Sequence, residues 1–295
     1  MATPHVERLR ELLAPGADGR RRLLSVPGCW DGLTALLVEQ AGFEAAFLTG
    51  GGLSMARLGR PDMGLVTASE TADSVAMIRD RIAMPLIVDG DTGFGNAINM
   101  QRTVRMFERA GASAIQIEDQ GFPKRCGHMA GKRVVPLGEA VGRVKAALDA
   151  RGDMLVIART DAVSVEGFDS AVERADAFLE AGADLIFVEG PRTIEDTRAV
   201  GERFGRRVPL VHNLVEGGVS ATDSGAELEA MGFAVGLHPL LLMHGLVRAA
   251  PEWLAVLRET GSTATLGDRI ARLSDMNALT GAARLIELGR RYDAG

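Results

Sequence analysis

The chain has 295 residues, of which 46% are hydrophobic and 24% charged, with a formal net charge of −6. This composition excludes a disordered protein, and the acidic balance argues against nucleic acid as a partner because a phosphate backbone needs a basic face. No apolar run is long enough to span a bilayer, so we expect no membrane association.

Cysteine usage and the amino terminus predict where the protein resides. Cys29 and Cys126 are the two cysteines, too few for a disulfide scaffold, and they fit the reducing cytosol. The charged stretch from Met1 to Arg10 is not followed by a secretory apolar segment. We therefore predict a cytoplasmic protein.

Eight short apolar runs, rich in β-branched residues, predict strands. They are Leu23–Val26, Ala45–Thr49, Pro85–Asp89, Ala114–Asp119, Met154–Thr160, Leu185–Glu189, Pro209–Asn213 and Ala234–His238. Most are continuous rather than alternating, as in parallel strands buried on both faces. Helical patterns separate them: Gly32–Gln40, Thr67–Arg81, Asn99–Arg109, Gly138–Ala150, Ser170–Glu180, Thr193–Phe204 and Asp223–Ala230.

A repeated joint between helix and strand favours an alternating β/α fold. Gly42, Gly111, Gly182 and Gly232 each follow a helical pattern and precede a strand, where a left-handed glycine cap is expected. With eight strands, we predict a single (β/α)8 barrel domain over residues 1–295, with an open doubly wound sheet as the alternative. Residues 242–295 predict further helices that pack on the barrel or on a neighbouring subunit.

Acidic residues collect at the predicted carboxyl ends of the strands, where such barrels place their active sites. Asp89, Asp91 and Glu118 would converge there, and Asp62 could join them. Crowded carboxylates need a cation, and oxygen ligands suit Mg²⁺, with Mn²⁺ as the other candidate. Turn chemistry is the alternative for the Asp-Gly-Asp sequence, and helix capping is the alternative for Asp31, Thr160 and Asp161.

Several further residues at these strand ends suit an anionic ligand. The amides of Gly50, Gly51 and Gly52, after Thr49, could cradle a carboxylate, unless they simply form a tight turn. Arg159 matches carboxylate geometry, while Asn213 and Glu189 could fix a second polar end of a ligand. A buried structural ion pair between Arg159 and Glu189 is the competing interpretation.

The segment Lys124-Arg125-Cys126-Gly127-His128 places a thiol among cations. Positive charge favours the thiolate, which suits proton transfer at an anionic substrate. The alternative is a surface loop that holds an inert thiol. Glycines from Gly121 to Gly131 suggest a lid that brings Cys126 in when substrate is bound.

Together these segments resemble the isocitrate lyase and phosphoenolpyruvate mutase superfamily. The resemblance runs in order from about Val26 to Pro239 and rests on residues 49–52, 59–62, 88–95, 117–120, 123–128, 158–162 and 213–218. It implies a Mg²⁺-dependent barrel acting on 2-oxo or 2-hydroxy acids next to an enolate. It also implies a homotetramer, a dimer of dimers that exchange the last barrel helix.

The resemblance leads to a specific hypothesis about the reaction. Members with the Lys-Arg-Cys-Gly-His loop are mostly carbon–carbon lyases, similar to 2-methylisocitrate lyase and 2,3-dimethylmalate lyase. We expect a 2-hydroxy di- or tricarboxylate to be cleaved to pyruvate or glyoxylate and a second carboxylic acid. A carboxyphosphonoenolpyruvate-type phosphonomutase and an oxaloacetate decarboxylase or hydrolase are the alternatives, and a non-catalytic carboxylate-binding protein ranks last.

The resemblance also implies roles for individual residues. Asp89 would hold the metal, with Asp62, Asp91 and Glu118 acting largely through water, while Cys126 would protonate the departing carbanion. Arg159 and Glu118 would join Cys126 and His128 in catalysis. Substrate contacts are assigned to Thr49, Gly50, Gly51, Asp62, Lys124, Arg125, Gly127, Glu189 and Asn213. Phe47, Arg60, Gln116 and His238 depart from the methylisocitrate lyase pattern and leave the substrate open.

Overall fold

The computed structural model describes residues 3–127, 129, 131–218 and 220–293. Residues 1–241 and 242–295 form two compact units. In the described part of the first unit, eight parallel strands close into a barrel in chain order, as predicted. The strands are β1 (Leu24–Cys29), β2 (Ala46–Leu48), β3 (Leu86–Asp89), β4 (Ala114–Glu118), β5 (Leu155–Thr160), β6 (Leu185–Val188), β7 (Leu210–Asn213) and β8 (Val235–His238).

Helices alternate with the strands in the first unit. They are α1 (Pro4–Leu12), α2 (Gly32–Gln40), α3 (Gly50–Leu58), α4 (Ala68–Arg79), α5 (Ala97–Ala110), α6 (Leu137–Ala150), α7 (Phe168–Glu180), α8 (Ile194–Phe204) and α9 (Gly225–Ala230), with a short 3₁₀ helix at Ala162–Ser164. Helices α1 and α3 were not predicted. Triple glycine opens α3, and glycine is a poor helix former.

The helix-to-strand joints confirm the prediction from the sequence. Gly42, Gly111, Gly182 and Gly232 all have positive φ angles, between 84° and 105°. Asp31 caps α2 through a reciprocal capping box with Thr34, which confirms the capping interpretation for that residue.

In its described part the second unit contains a short 3₁₀ helix at Ala264–Arg269 and three α-helices. They are α10 (Leu241–Thr260), which begins one residue before the unit, α11 (Leu273–Thr280) and α12 (Ala282–Arg290). Apolar side chains of these helices are largely exposed: Leu246, Val247, Leu254, Leu257, Leu273, Leu285, Ile286 and Leu288. No helix among the described residues meets the length and apolarity needed to cross a membrane.

Alternate residues of each strand fill the barrel. Leu24 and Val26 of β1, like Leu155 and Ile157 of β5, belong to one buried apolar cluster, as expected from the two-residue period of a strand. Leu9 of α1 and Leu13 join the same cluster beside the first residues of the strands. Helix α1 therefore closes the amino end of the barrel.

His5 of α1 contributes a polar contact at that end. Its Nδ1 lies 2.8 Å from Ser113 Oγ, which itself accepts a hydrogen bond from Leu86 N. Burial, together with the nearby charge of Arg79, lowers the pKa of His5 from 6.5 to about 4 despite the opposing charge of Asp153. The folded state therefore holds the neutral imidazole.

This lowered pKa predicts a pH-dependent contribution to stability. Between pH 6.5 and 4 the unfolded chain binds a proton at His5 that the folded chain does not, so folding loses stability as the pH falls through this window. In His5→Gln we expect a flatter pH dependence of the free energy of unfolding, measured with urea between pH 7.5 and 4.5. Identical pH slopes for the two proteins would contradict this assignment.

Candidate active site

The next inward positions of the strands, beyond the apolar cluster, carry polar side chains. Continuing the two-residue period from Ile87, Ile157 and Phe187 gives Asp89, Arg159 and Glu189. The same step leads to Thr49, Glu118 and Asn213. The strand ends therefore bring these six predicted residues to one mouth of the barrel.

The turn after β3 fixes two of the carboxylates. Asp91 adopts a left-handed conformation with φ 46°, which is uncommon for a residue with a side chain. Gly90 N donates to Gln116 O at 2.8 Å, and Glu118 N donates to Asp91 O at 2.9 Å, so the turn is bonded to β4. A Cβ at Gly90 would lie 2.7 Å from Ile115 Cγ1, which leaves room for glycine alone.

Lys124 lies among the acidic groups. Its Nζ is 2.5 Å from Asp62 Oδ1 and 2.7 Å from Asp91 Oδ1, and its side chain is only 3% exposed. Burial raises the pKa of Asp91 to about 7, and Asp89 and Asp62 add to the rise while Lys124 opposes it. Burial alone would lower the pKa of Lys124, but these carboxylates hold it well above its ordinary value, so the ammonium remains charged.

The start of α3 meets the same carboxylates. Thr49 caps the helix through Gly52 N, and Gly50 N donates to Asp89 Oδ2 at 3.3 Å. A Cβ on Gly51 would lie 3.5 Å from Cβ of Asp62. These amides were predicted to cradle a carboxylate or to form a tight turn. They begin a helix whose positive end faces acidic side chains, and the Gly50 amide binds the carboxylate of Asp89.

Arg159 is enclosed by three carboxylates and lies over an aromatic ring. Its Nε and Nη2 donate to the two oxygens of Asp161 at 2.9 and 3.0 Å. Nη2 also pairs with Glu189 Oε2 at 3.2 Å, and Nε lies 3.5 Å from Glu118 Oε2. Its guanidinium carbon is 5.1 Å from the centre of the Phe187 ring. The predicted Arg159–Glu189 ion pair is therefore present.

Asp161 connects this arginine to the loop that carries Cys126. Lys132 Nζ donates to Asp161 Oδ1 at 2.8 Å and to Gly127 O at 2.6 Å. Burial raises the pKa of Asp161, but Arg159 and Lys132 outweigh burial and hold it at about 2. The capping interpretation of Asp161 is wrong, because its side chain makes no cap hydrogen bond to the 3₁₀ helix that follows.

The cysteine loop lies against the mouth. Cys126 N donates to Asp62 O at 3.1 Å, and Cys126 is partly exposed. A Cβ on Gly127 would lie 2.4 Å from Arg159 Nη2 and 2.9 Å from Glu189 Oε2, so the loop reaches this ion pair only because residue 127 has no side chain. His128 lies outside the described residues.

A family model supports the resemblance inferred from these motifs. The model described as phosphoenolpyruvate phosphomutase matches residues 9–253. The chain belongs to this family.

Curated relatives cover nearly the whole chain of this family member. 2,3-Dimethylmalate lyase of Eubacterium barkeri is 38% identical over 290 residues, covering 98% of each protein. 2-Methylisocitrate lyase of Aeropyrum pernix is 40% identical over 275 residues, covering 92% of this chain and 86% of the relative. Chloroplastic carboxyvinyl-carboxyphosphonate phosphorylmutase of Arabidopsis thaliana is 42% identical over 279 residues, covering 92% and 81%.

Solved structures of the superfamily share the fold. 2,3-Dimethylmalate lyase superposes with a TM-score of 0.91 at 32% identity, covering 100% of this chain and 99% of that one. The structure of oxaloacetate acetylhydrolase in complex with 3,3-difluorooxalacetate has a TM-score of 0.90 and 33% sequence identity. The match covers 99% of this chain and 98% of that one. The structure of phosphonopyruvate hydrolase in complex with oxalate and Mg²⁺ has a TM-score of 0.86 and 30% sequence identity. The match covers 98% of this chain and 99% of that one.

The donor set at the mouth fits a hard cation held in part through water. Among the described residues, no group of three or more His, Cys, Asp or Glu is spaced to ligate a metal directly. However, three buried acceptors have no hydrogen-bond partner in the part of the chain that the structure describes: Gln116 Oε1, Glu118 Oε1 and Asn213 Oδ1. Such oxygens require water, a cation or a ligand donor. The carboxylate of Asp89 lies beside one of these side chains, with its Oδ1 3.5 Å from Gln116 Nε2.

The residues expected to depart from the methylisocitrate lyase pattern occupy different surroundings. Phe47 belongs to the apolar cluster inside the barrel, whereas Arg60 is exposed. Gln116 pairs in register with Asp89, and its Nε2 lies 3.5 Å from Asp89 Oδ1. Of these three residues, Gln116 is the one that contacts a carboxylate of the mouth.

The Asp161 contacts predict a large loss of stability in Asp161→Asn. The amide would present a donor to Arg159 or Lys132 and leave both cations buried without their shared anion. We expect a loss of about 3 kcal/mol in the free energy of unfolding, measured with urea at pH 7.5.

Asp176→Asn provides the matched control. Asp176 pairs with Arg203 and Arg207, whose side chains are about half exposed, so its loss should cost less than about 1 kcal/mol. Equal losses in the two variants would show that the buried Asp161 contacts contribute no more than a surface pair.

Proposed function

We propose that the protein is a carbon–carbon lyase. It cleaves a 2-hydroxy di- or tricarboxylate, of the 2-methylisocitrate or substituted-malate type, to pyruvate or glyoxylate and a second carboxylic acid. The observation that carries this proposal is the placement of Gly127, the residue that follows Cys126, against the Arg159–Glu189 pair at the mouth that also holds Asp89. The relatives named dimethylmalate lyase and methylisocitrate lyase support the same reaction class.

The mouth offers separate places for the two ends of such a substrate. Arg159 and Asn213 bind one carboxylate, and the amides of Gly50 and Gly51 bind another at the positive end of α3. The buried acceptor Asn213 Oδ1 has no hydrogen-bond partner among the described residues and is available to a substrate hydroxyl. These contacts orient the bond that breaks.

A divalent ion fits beside these groups. Asp89, with Asp62, Asp91 and Glu118, would hold Mg²⁺, or Mn²⁺ in its place, and the ion would supply Lewis-acid stabilisation of negative charge in the transition state. A relative's complex with Mg²⁺ supports this choice. Lys124 lies between two of these carboxylates and limits their mutual repulsion.

Proton transfer is assigned to the chain's own residues. Glu118 Oε1, which is buried and has no hydrogen-bond partner within the described parts of the chain, accepts the proton of the substrate 2-hydroxyl as that carbon becomes a carbonyl. The electron pair of the broken bond remains on the second acid as an enolate, and the Cys126 thiol gives its proton to that carbon. Lys124, Arg125 and His128 tune the thiol, and the reverse condensation uses the thiolate as base.

The reaction is tested by a coupled assay for pyruvate and glyoxylate over a panel of substituted malates and citrates. We expect 2-oxo acid release from at least one of them, its loss in excess EDTA, and its return when Mg²⁺ is added. Release that persists in EDTA would contradict the metal requirement, and release from none of the panel would contradict the lyase assignment.

Cys126→Ser tests the proton donor. Because a hydroxyl is a far weaker acid than a thiol, turnover should fall about a thousandfold while the fold is retained. Cys29→Ala is the control: Cys29 is fully buried, so its thiol cannot give a proton to a substrate, and turnover should stay at the wild-type value. Wild-type turnover in Cys126→Ser would refute the assigned role.

A phosphonomutase is the second candidate. The 42% identical phosphorylmutase favours it, because the same carboxylate pocket could act on a phosphorus compound. Phosphorus NMR of phosphonopyruvate and carboxyphosphonoenolpyruvate incubated with the protein separates the two reactions. The oxaloacetate acetylhydrolase structures make oxaloacetate a necessary member of the assay panel.

We also propose a cytoplasmic homotetramer built from dimers that exchange a helix. The exposed apolar side chains of α10, α11 and α12 support packing of residues 242–295 on a neighbouring subunit. A monomeric molar mass in solution would contradict this assembly.

A further inference from the structure

The peptide groups around Cys126 are held by two side chains that have no role in the mechanism above. Gln120 Nε2 donates to Arg125 O at 2.8 Å, and Arg125 N donates to Gln120 Oε1 at 3.0 Å. The buried side-chain amide of Gln120 therefore forms hydrogen bonds with both the N–H and the C=O of Arg125, the residue before Cys126. This is the pattern by which a neighbouring strand would hold an extended chain.

Lys132 holds the residue that follows the cysteine. Its ammonium donates to Gly127 O at 2.6 Å and to Asp161 at 2.8 Å, and its side chain is 3% exposed. Because Asp161 also binds Arg159, the loop is connected to the arginine of the mouth through one lysine.

Cys126 itself is the middle of three consecutive anchored residues. Its N–H donates to Asp62 O, so residues 125, 126 and 127 each have a main-chain bond to a group outside the triplet. The anchors are themselves fixed, since Gln120 O accepts from Arg143 Nη1 at 2.8 Å. An inert surface loop would direct these groups to water instead.

We propose that Gln120 and Lys132 are positioning residues that set the place of the Cys126 thiol at the mouth. The main chain is then held on both sides of the residue that carries the sulfur. The consequence for turnover rests on the proposed role of Cys126, whereas the effect on thiol exposure does not.

The first test measures alkylation of Cys126 by iodoacetamide in Gln120→Met and Lys132→Met, followed by peptide mass spectrometry. In each variant the loop loses hydrogen bonds that hold it, and the charged lysine makes the stronger ones. The rate of Cys126 alkylation should therefore rise, by about tenfold in Lys132→Met. A purely electrostatic role of Lys132 predicts the opposite sign, because removing a cation disfavours the reactive thiolate. Slower or unchanged alkylation in both variants would overturn the proposal.

Two internal controls make the rate interpretable. Arg133→Met removes the same charge from the adjacent, exposed position and should leave the alkylation rate and turnover at wild-type values. Cys29 is fully buried and burial raises its thiol pKa, so its alkylation reports global unfolding. Faster reaction of Cys126 with Cys29 still protected therefore reports local release.

Milder variants cover the case in which a methionine variant does not fold. Gln120→Glu keeps the acceptor but removes the donor to Arg125 O, and Lys132→Gln is too short to reach Gly127 O and Asp161 together. Both should still raise Cys126 alkylation. Because both residues act on one loop, the rates in the double variant should rise by less than the product of the single effects.

Kinetics then separate this proposal from the proposed function. With a substrate identified by the coupled assay, both methionine variants should lower kcat about tenfold with little change in KM, since the donor is displaced while the binding groups remain. Suppose that Cys126→Ser is inactive but the two methionine variants match the wild type in alkylation rate and kcat. The positioning role of Gln120 and Lys132 is then wrong, while the proposed role of Cys126 is retained. If Cys126→Ser is fully active, the proposed mechanism fails and the alkylation result still stands.

Discussion

Pairing of buried charge at the carboxyl end of the barrel is the constraint on which the site depends. Asp62, Asp89, Asp91 and Glu118 are brought together by separate strands and turns, and an uncompensated group of carboxylates would be strongly unfavourable in a buried place. Lys124 lies between two of them, Asp62 and Asp91. Arg159 of β5 pairs with Glu118 of the neighbouring strand β4. The positions of these cations determine where the loop that carries Cys126 can lie.

The fold and the location of the mouth could be predicted from the sequence because they follow from local patterns. Continuous apolar runs gave the strands, and a glycine at each of four helix-to-strand joints gave the alternation. The two-residue period of a strand then places Arg159 at the mouth, two positions after the buried Ile157. None of these steps requires contacts between distant segments.

Contacts made across the barrel could not be predicted in the same way. Asp161 looked like a helix cap, because aspartate is common there, and its pairing with Lys132 joins residues 29 positions apart. Helix α3 was hidden by three glycines, although the cap on Gly52 from Thr49 was a usable signal. Lys124 was predicted to bind substrate and tune the thiol, and its buried contacts with Asp62 and Asp91 emerge only once the loop is seen against the mouth.

The pairing of β1 with β8 has a consequence for how the chain reaches its native state. All the other strand pairings join strands that follow each other in the chain. The β1–β8 pairing instead joins Leu24 to Val235, so the chain between them is almost the entire first unit. The entropic penalty of bringing chain ends together grows only slowly with loop length. In this barrel the penalty for the longest loop applies to one strand pairing, the β1–β8 seam. Sealing that seam depends on contacts of the greatest sequence separation, so it is the step at which a slow, topology-limited phase is expected.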